Sequence, residues 1–141
     1  MLLDVKNDVQ EIDRVFARIK EFCCANNISE KKCFDILIIV DELATNIVSY
    51  AFDDDQEHTF TIMVEKESEN GNEIVHLRLS DGGIPFDPLK NPGPDTEASL
   101  ENRKVGGLGI FFVKQLSDHI AYARIEGKNQ LDVFVSLKEE E

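Results

Sequence analysis

Apolar residues recur along the first third of the chain with the three-and-four spacing of helices. Val9, Ile12, Phe16, Ile19 and Cys23 predict a first helix over 8–26, with Asn7 or Asp8 capping its start. The run "NNIS" breaks it. Ser29 is a good cap for a second helix reaching about Tyr50, with Cys33, Leu37, Val40, Ala44, Ile47 and Ala51 as its core stripe. Turning each residue by roughly 100° sets Glu42 opposite that stripe and Asn46 about 40° from it. The two are thus neighbours one turn apart, at an edge between polar and apolar surface. That position suits a pocket wall and a plain exposed helix alike.

The rhythm then changes to alternation. "TFTIMVEK" puts Phe60, Ile62 and Val64 on one face of a strand, "ESENGN" reads as a hairpin loop, and "EIVHLRLSD" reads as the next strand. A stretch rich in Gly, Pro, Asp, Asn and Glu follows, too long for an ordinary loop and of the kind that forms lids. A third helix is expected over about 108–117. "HIAYARIE" and "LDVFVSLK" then close the chain as a hairpin through "GKNQ", and Met1–Val5 reads as a short edge strand. This order predicts an α+β fold: a two-layer sandwich with helices on one face of a mixed, mainly antiparallel sheet.

With 141 residues the expectation is a single domain over 1–141, with a lid at about 88–106. At 42% hydrophobic and 30% charged residues the chain matches ordinary globular proteins. No apolar run nears the roughly 20 residues of a membrane span, and "MLLDVKND" lacks the features of a signal peptide, so a cytoplasmic location with no membrane partner is expected. A net charge of −13 argues against nucleic acid, whose phosphates require clustered Lys and Arg. An anionic ligand must instead be held by backbone N–H groups or a metal ion. Cys23, Cys24 and Cys33 lack C-x-x-C spacing and read as reduced, mostly core-filling residues. His58, His76 and His119 lie too far apart to suggest zinc.

Two further segments carry candidate chemistry. In "SDGGIPFDP", Asp81 ends a strand, and Gly82 and Gly83 allow a close backbone approach. A carboxylate there can accept a hydrogen bond from an exocyclic amine such as that of adenine, although D-G-G is also a common tight turn. In "VGGLGIFFVKQLSD", Gly106, Gly107 and Gly109 lead into a helix, whose free N–H groups suit phosphate. Alone the glycines also fit a hinge. They form neither a Walker loop nor a G-x-G-x-x-G fingerprint.

The order of these segments is more specific than any one of them. A helical E-x-x-x-N in "DELATNIVSYAF", then "DGGIPFDP", a long lid and "GGLGIFFVKQLSD" resembles the GHKL superfamily of ATP-binding domains: gyrase B, heat-shock 90 chaperones, histidine kinases and MutL. The likeness covers essentially the whole chain and is strongest to small stand-alone anti-sigma factor serine/threonine kinases. It implies a histidine-kinase-type ATPase fold, with ATP and Mg²⁺ as cofactors. It implies roles as well. Asn46 matches the amide that holds Mg²⁺ against the triphosphate, and Glu42 the general base. Asp81 matches the adenine-reading carboxylate, and Gly83 the glycine beside the ring. Phe86 belongs to the same nucleotide-binding box. Gly107, Leu108 and Gly109 match the glycine box at the phosphates. Arg103 and Lys104, the only cations just before the glycines, are candidates to neutralise the γ-phosphate or plain solvated loop charges, and Arg103 is the better candidate because its forked donors suit phosphate. The implied activity is phosphorylation of a STAS-type anti-sigma factor antagonist, with a sigma factor as second partner and room for a homodimer. The alternative is a nucleotide-dependent binding module without phosphotransfer. One departure stands out: the family often has a Gly-Thr pair before its last strand, and here "GKNQLD" takes its place.

Overall fold

The alternating segments form strands β1 (Leu2–Lys6), β2 (Thr59–Glu69), β3 (Asn72–Asp81), β4 (His119–Ile125) and β5 (Lys128–Ser136). Hydrogen bonding arranges them as β1-β2-β3-β5-β4, with every pairing antiparallel. The computed structural model describes residues 1–90 and 107–138, without the side chains of residues 107 and 108. The expected lid over about 88–106 therefore falls almost wholly outside the described residues, and Arg103 with it. Among the described residues no helix is long and apolar enough to cross a membrane.

Both hairpins are tighter than the sequence suggested. Asn70 and Gly71 have φ of 53° and 82°, and Glu126 and Gly127 have φ of 50° and 78°. Two consecutive positive φ values make a two-residue turn whose twist matches that of the flanking strands. The strands consequently run further into "ESENGN" and "GKNQ" than expected. Lys128, Asn129 and Gln130 are strand residues, paired with Ile125, Arg124 and Ala123. This places Asn129 at a fixed position opposite Asp81 on the neighbouring strand.

Helix α1 (Glu11–Ala25) buries Ile12, Val15, Ile19 and Cys23. Val9 precedes it and is exposed, and Asp8 Oδ1 accepts from Gln10 N at 2.9 Å, so the helix starts a turn later than expected. Helix α2 (Glu30–Asn46) is capped as expected, Ser29 accepting from Lys32 N. Its buried stripe is rotated from the expected one: Ile36, Ile39, Val40, Leu43, Ala44 and Asn46 face the core, while Cys33, Leu37 and Ile47 pack at its margin. The stretch "DILIIVDELA" is apolar around much of its circumference, so periodicity alone fixed the stripe poorly. A π-helical turn, Ile47–Ala51, extends α2, and α3 spans Gly107–Leu116. Buried residues of all three helices join Val5, Phe60, Ile62, Val64, Val75, Leu77, Leu79, Val133 and Val135 from the sheet in one core. The other face of the sheet carries His76, Arg78, Asp132 and Phe134, with His76 stacked on Phe134 at 4.4 Å.

Candidate functional site

The rotated stripe puts Asn46 on the inner side of α2, 9% exposed, where it meets the end of β3. There an open cleft lies, mostly apolar, with Asn46 and Asp81 among the polar groups on its wall. Leu43, Ile47 and Ala51 line the helix side, Leu79 and Leu131 the sheet side, and Phe86 and Pro88 the loop after β3. Such an apolar slot with a few convergent polar groups is the usual form of a small-ligand site.

The turn after β3 is held against the end of α2. Ile84 N donates to Ala51 O at 2.8 Å. That bond occupies a carbonyl that the end of a helix would otherwise leave without a partner. It also explains the glycine: a Cβ built on Gly83 would lie 2.0 Å from Ala51 O. Asp81, 6% exposed, accepts from Gly83 N at 2.9 Å and from Asn129 Nδ2 at 3.0 Å, both through Oδ1. No described residue occupies its Oδ2.

Glu42 lies one turn before Asn46, beside α3. A Cβ built on Gly109 would fall 1.8 Å from Glu42 Cδ, so the glycine is what lets α3 start against this carboxyl. Glu42 Oε1 is enclosed and has no hydrogen-bond partner among the described residues. Burial, and then the neighbouring charge of Asp41, push the carboxyl above its ordinary value, while Asn46 pulls the other way as a hydrogen-bond donor. A desolvated carboxylate with one oxygen unpartnered is costly to stability, and such groups concentrate at functional sites.

Of the residues singled out in the sequence, Asn46, Asp81 and Phe86 share the cleft. Gly83 packs behind it, Glu42 and Gly109 touch beside it, and Gly107 and Leu108 begin α3. Arg103 lies outside the described residues. Sequence reasoning missed Tyr122 and Asn129, which also line the cleft, and Arg124, whose Nη1 donates to Gly83 O at 2.9 Å. Only strand register brings these three to the site, and the positive φ at Glu126 and Gly127 that sets it has no strong sequence signal at Glu126. On the far face of the sheet, Glu65, Glu67 and His76 place ligand atoms within 4.8 Å of one another, a grouping that linear spacing could not reveal.

A helical layer on an antiparallel sheet, with a cleft between a helix amide and a strand-end carboxylate, defines a two-layer α/β sandwich with a cleft at one end of its sheet. More narrowly, the chain belongs to the histidine kinase-like ATPase domain family, which residues 5–134 match. It is similar to the serine/threonine-protein kinase BtrW of Bordetella bronchiseptica, 26% identical over 98 residues, covering 70% of this chain and 66% of that one. It is also similar to the serine-protein kinase RsbW of Listeria monocytogenes, 31% identical over 99 residues, covering 66% of this chain and 59% of that one. The chain thus matches somewhat less than two thirds of the length of these relatives. Its fold is similar to that of a chain in the crystal structure of the SiaB–SiaC complex from Pseudomonas aeruginosa, with a TM-score of 0.57, 13% identity, and coverage of 96% and 89% of the two chains.

Proposed function

We propose that this protein is an ATP-dependent serine/threonine kinase that acts as an anti-sigma factor, phosphorylating a STAS-type antagonist. Family membership and relatives named as serine kinases support the class of reaction. The observation that carries the reading is Glu42: a carboxyl with an enclosed, unpartnered oxygen and a raised pKa, next to a buried amide on the wall of the cleft. A raised pKa makes a carboxylate a stronger base near neutral pH.

In this reading the adenine lies in the apolar slot with its exocyclic amine donating to Asp81, and the phosphates run toward the start of α3. The residues suit a magnesium ion. The Asn46 amide acts as a donor toward Glu42 through its N–H, and its oxygen is a hard ligand of the kind Mg²⁺ prefers. Mg²⁺ would neutralise charge on the phosphates. The substrate hydroxyl oxygen forms a bond to the γ-phosphorus as the bond to the bridging oxygen breaks. The hydroxyl proton passes to Glu42, and ADP leaves. Arg103 belongs to this reading as a cation for the γ-phosphate, the sigma factor as second partner and a homodimer as the assembly.

A second reading, a nucleotide-dependent binding module without transfer, is favoured by one observation. Gly109 packs against Glu42, so the carboxyl is covered in this conformation. Incubation of the protein with γ-labelled ATP, Mg²⁺ and a STAS-domain protein separates the two. Label appearing on the STAS protein with the native chain and lost in Glu42→Gln, while ATP affinity holds, supports the kinase. Tight ATP binding with no label on any partner supports the module. The metal assignment is tested by ATP titration with and without Mg²⁺: the native protein gains affinity with the ion, and Asn46→Ala gains none.

A further inference from the structure

We infer that Asn129 is the positioning residue that sets base selectivity, and that it does so without touching the base. Its amide is saturated by the protein. Nδ2 donates to Asp81 Oδ1 at 3.0 Å and to Ile84 O at 2.8 Å. Oδ1 accepts from Phe86 N at 3.2 Å and from the Tyr122 hydroxyl. A side-chain amide has two N–H donors and two acceptor lone pairs, so these four bonds leave nothing for a ligand. They also fix which way the amide points, because a flipped amide would set oxygen against oxygen at Asp81 and at Ile84, and N–H against N–H at Phe86.

The consequence falls on Asp81. Its Oδ1 holds two N–H donors, from Gly83 and from Asn129. Its Oδ2 has no hydrogen bond among the described residues, is not enclosed, and belongs to a residue on the cleft wall. The carboxylate is pinned at one oxygen and presents the other as a bare acceptor. An acceptor without a donor of its own accepts an N–H and repels a carbonyl. The cleft therefore takes a 6-aminopurine and rejects a 6-oxopurine. Asn129 also ties down Ile84 and Phe86, so the same amide fixes both the hydrogen-bonding edge and the loop that lies along the slot. It is 6% exposed.

This inference rests on the proposed nucleotide site, and the test separates the two. Binding of Mg–ATP and Mg–ITP is measured calorimetrically on the full chain, native and Asn129→Ala, with thermal melting of each. The native protein is expected to favour ATP by about 100-fold or more, since a site built to bond an N–H leaves a group unpaired when the N–H is missing. Asn129→Ala is expected to lower the ATP/ITP ratio by about tenfold, the worth of one misplaced buried hydrogen bond. A merely structural role would weaken both nucleotides equally and leave the ratio unchanged, which overturns the inference. Native protein that binds neither nucleotide overturns the nucleotide site itself, and the inference with it. Should Asn129→Ala fail to fold, Tyr122→Phe carries the test, since it removes one of the two donors that hold Oδ1. A ratio reduced several-fold supports the inference, and an unchanged ratio defeats it.

Discussion

At the scale of single residues, the proposed site carries a cost in stability, and Glu42 shows it most clearly. Its pKa is raised in the fold, so the native state binds the proton more tightly than the unfolded chain does. Stability therefore falls as pH rises through the ordinary carboxylate value and up to the folded one, and the cost is fully present above the folded value. Glu42→Gln removes the buried charge. It is expected to stabilise the protein at pH ~7.5 by on the order of 1 kcal/mol and to flatten the loss of stability between pH ~4.5 and that point. Thermal melts of both proteins across that range check this, and a mutant less stable at every pH would contradict it. The two close-approach glycines should behave differently from each other. At Gly83 the obstacle is the backbone of Ala51, which cannot step aside, so Gly83→Ala is expected to cost more than ~2 kcal/mol in denaturant unfolding. At Gly109 the obstacle is the end of a flexible side chain, so Gly109→Ala should fold with a cost nearer ~1 kcal/mol but displace the Glu42 carboxyl. Its signature is lost phosphotransfer in a protein that melts almost normally.

At the scale of elements, what the sequence reveals depends on how local the determining physics is. The Ser29 cap, the alternation of Phe60, Ile62 and Val64, and the helix after the glycines are local, and all three were legible. The face that α2 buries was not. Ile36, Ile39 and Leu43 compete with Cys33, Leu37 and Ile47 for the core, and only the sheet beneath decides between them. That choice moves Asn46 from an edge to the interior, so periodicity misplaced a residue that the motif had singled out. Asn129 and Tyr122 escaped notice because cross-strand register, not spacing, brings them to Asp81. Register also builds the polar cluster on the far face. Burial pushes the Asp132 carboxyl up, but hydrogen bonds from His76 and Arg78, each at 2.7 Å, outweigh it and hold the group below its ordinary value. A lowered carboxylate pKa contributes stability above the unfolded value, near pH ~4, that is lost as pH falls through the folded one. Asp132→Asn is therefore expected to cost ~1 kcal/mol at neutral pH and to lose less stability than the native protein below pH ~4. Urea unfolding at pH ~7 and ~3 measures both halves of that expectation.

At the scale of the whole molecule, charge is the dominant unbalanced quantity. Acidic residues number 28 against 15 basic ones. The described ion pairs do little to offset this: two of them, Lys6–Glu57 and Arg18–Glu21, are exposed on both sides, and such pairs contribute little. The folded chain concentrates the excess negative charge in a smaller volume than the unfolded one, so self-repulsion works against the fold. Salt weakens that repulsion by shortening the reach of each charge from about 30 Å at 0.01 M to about 8 Å at 0.15 M. The exposed pairs that salt also weakens are worth less than the repulsion it removes. The melting temperature is therefore expected to rise by a few degrees between ~0.01 and ~0.3 M NaCl, most of the gain coming below ~0.15 M. Scans at fixed pH with NaCl and KCl should agree, because the effect is screening and not ion binding. A melting temperature that falls with salt would show that local ion pairs outweigh the excess charge, and that the acidic surface costs this fold nothing. The same excess charge bears on the site. In the proposed reading, a triphosphate approaching so acidic a protein is repelled at long range, and its capture would depend on short-range partners: the N–H groups at the start of α3, the Asn46 amide and a cation carried with it.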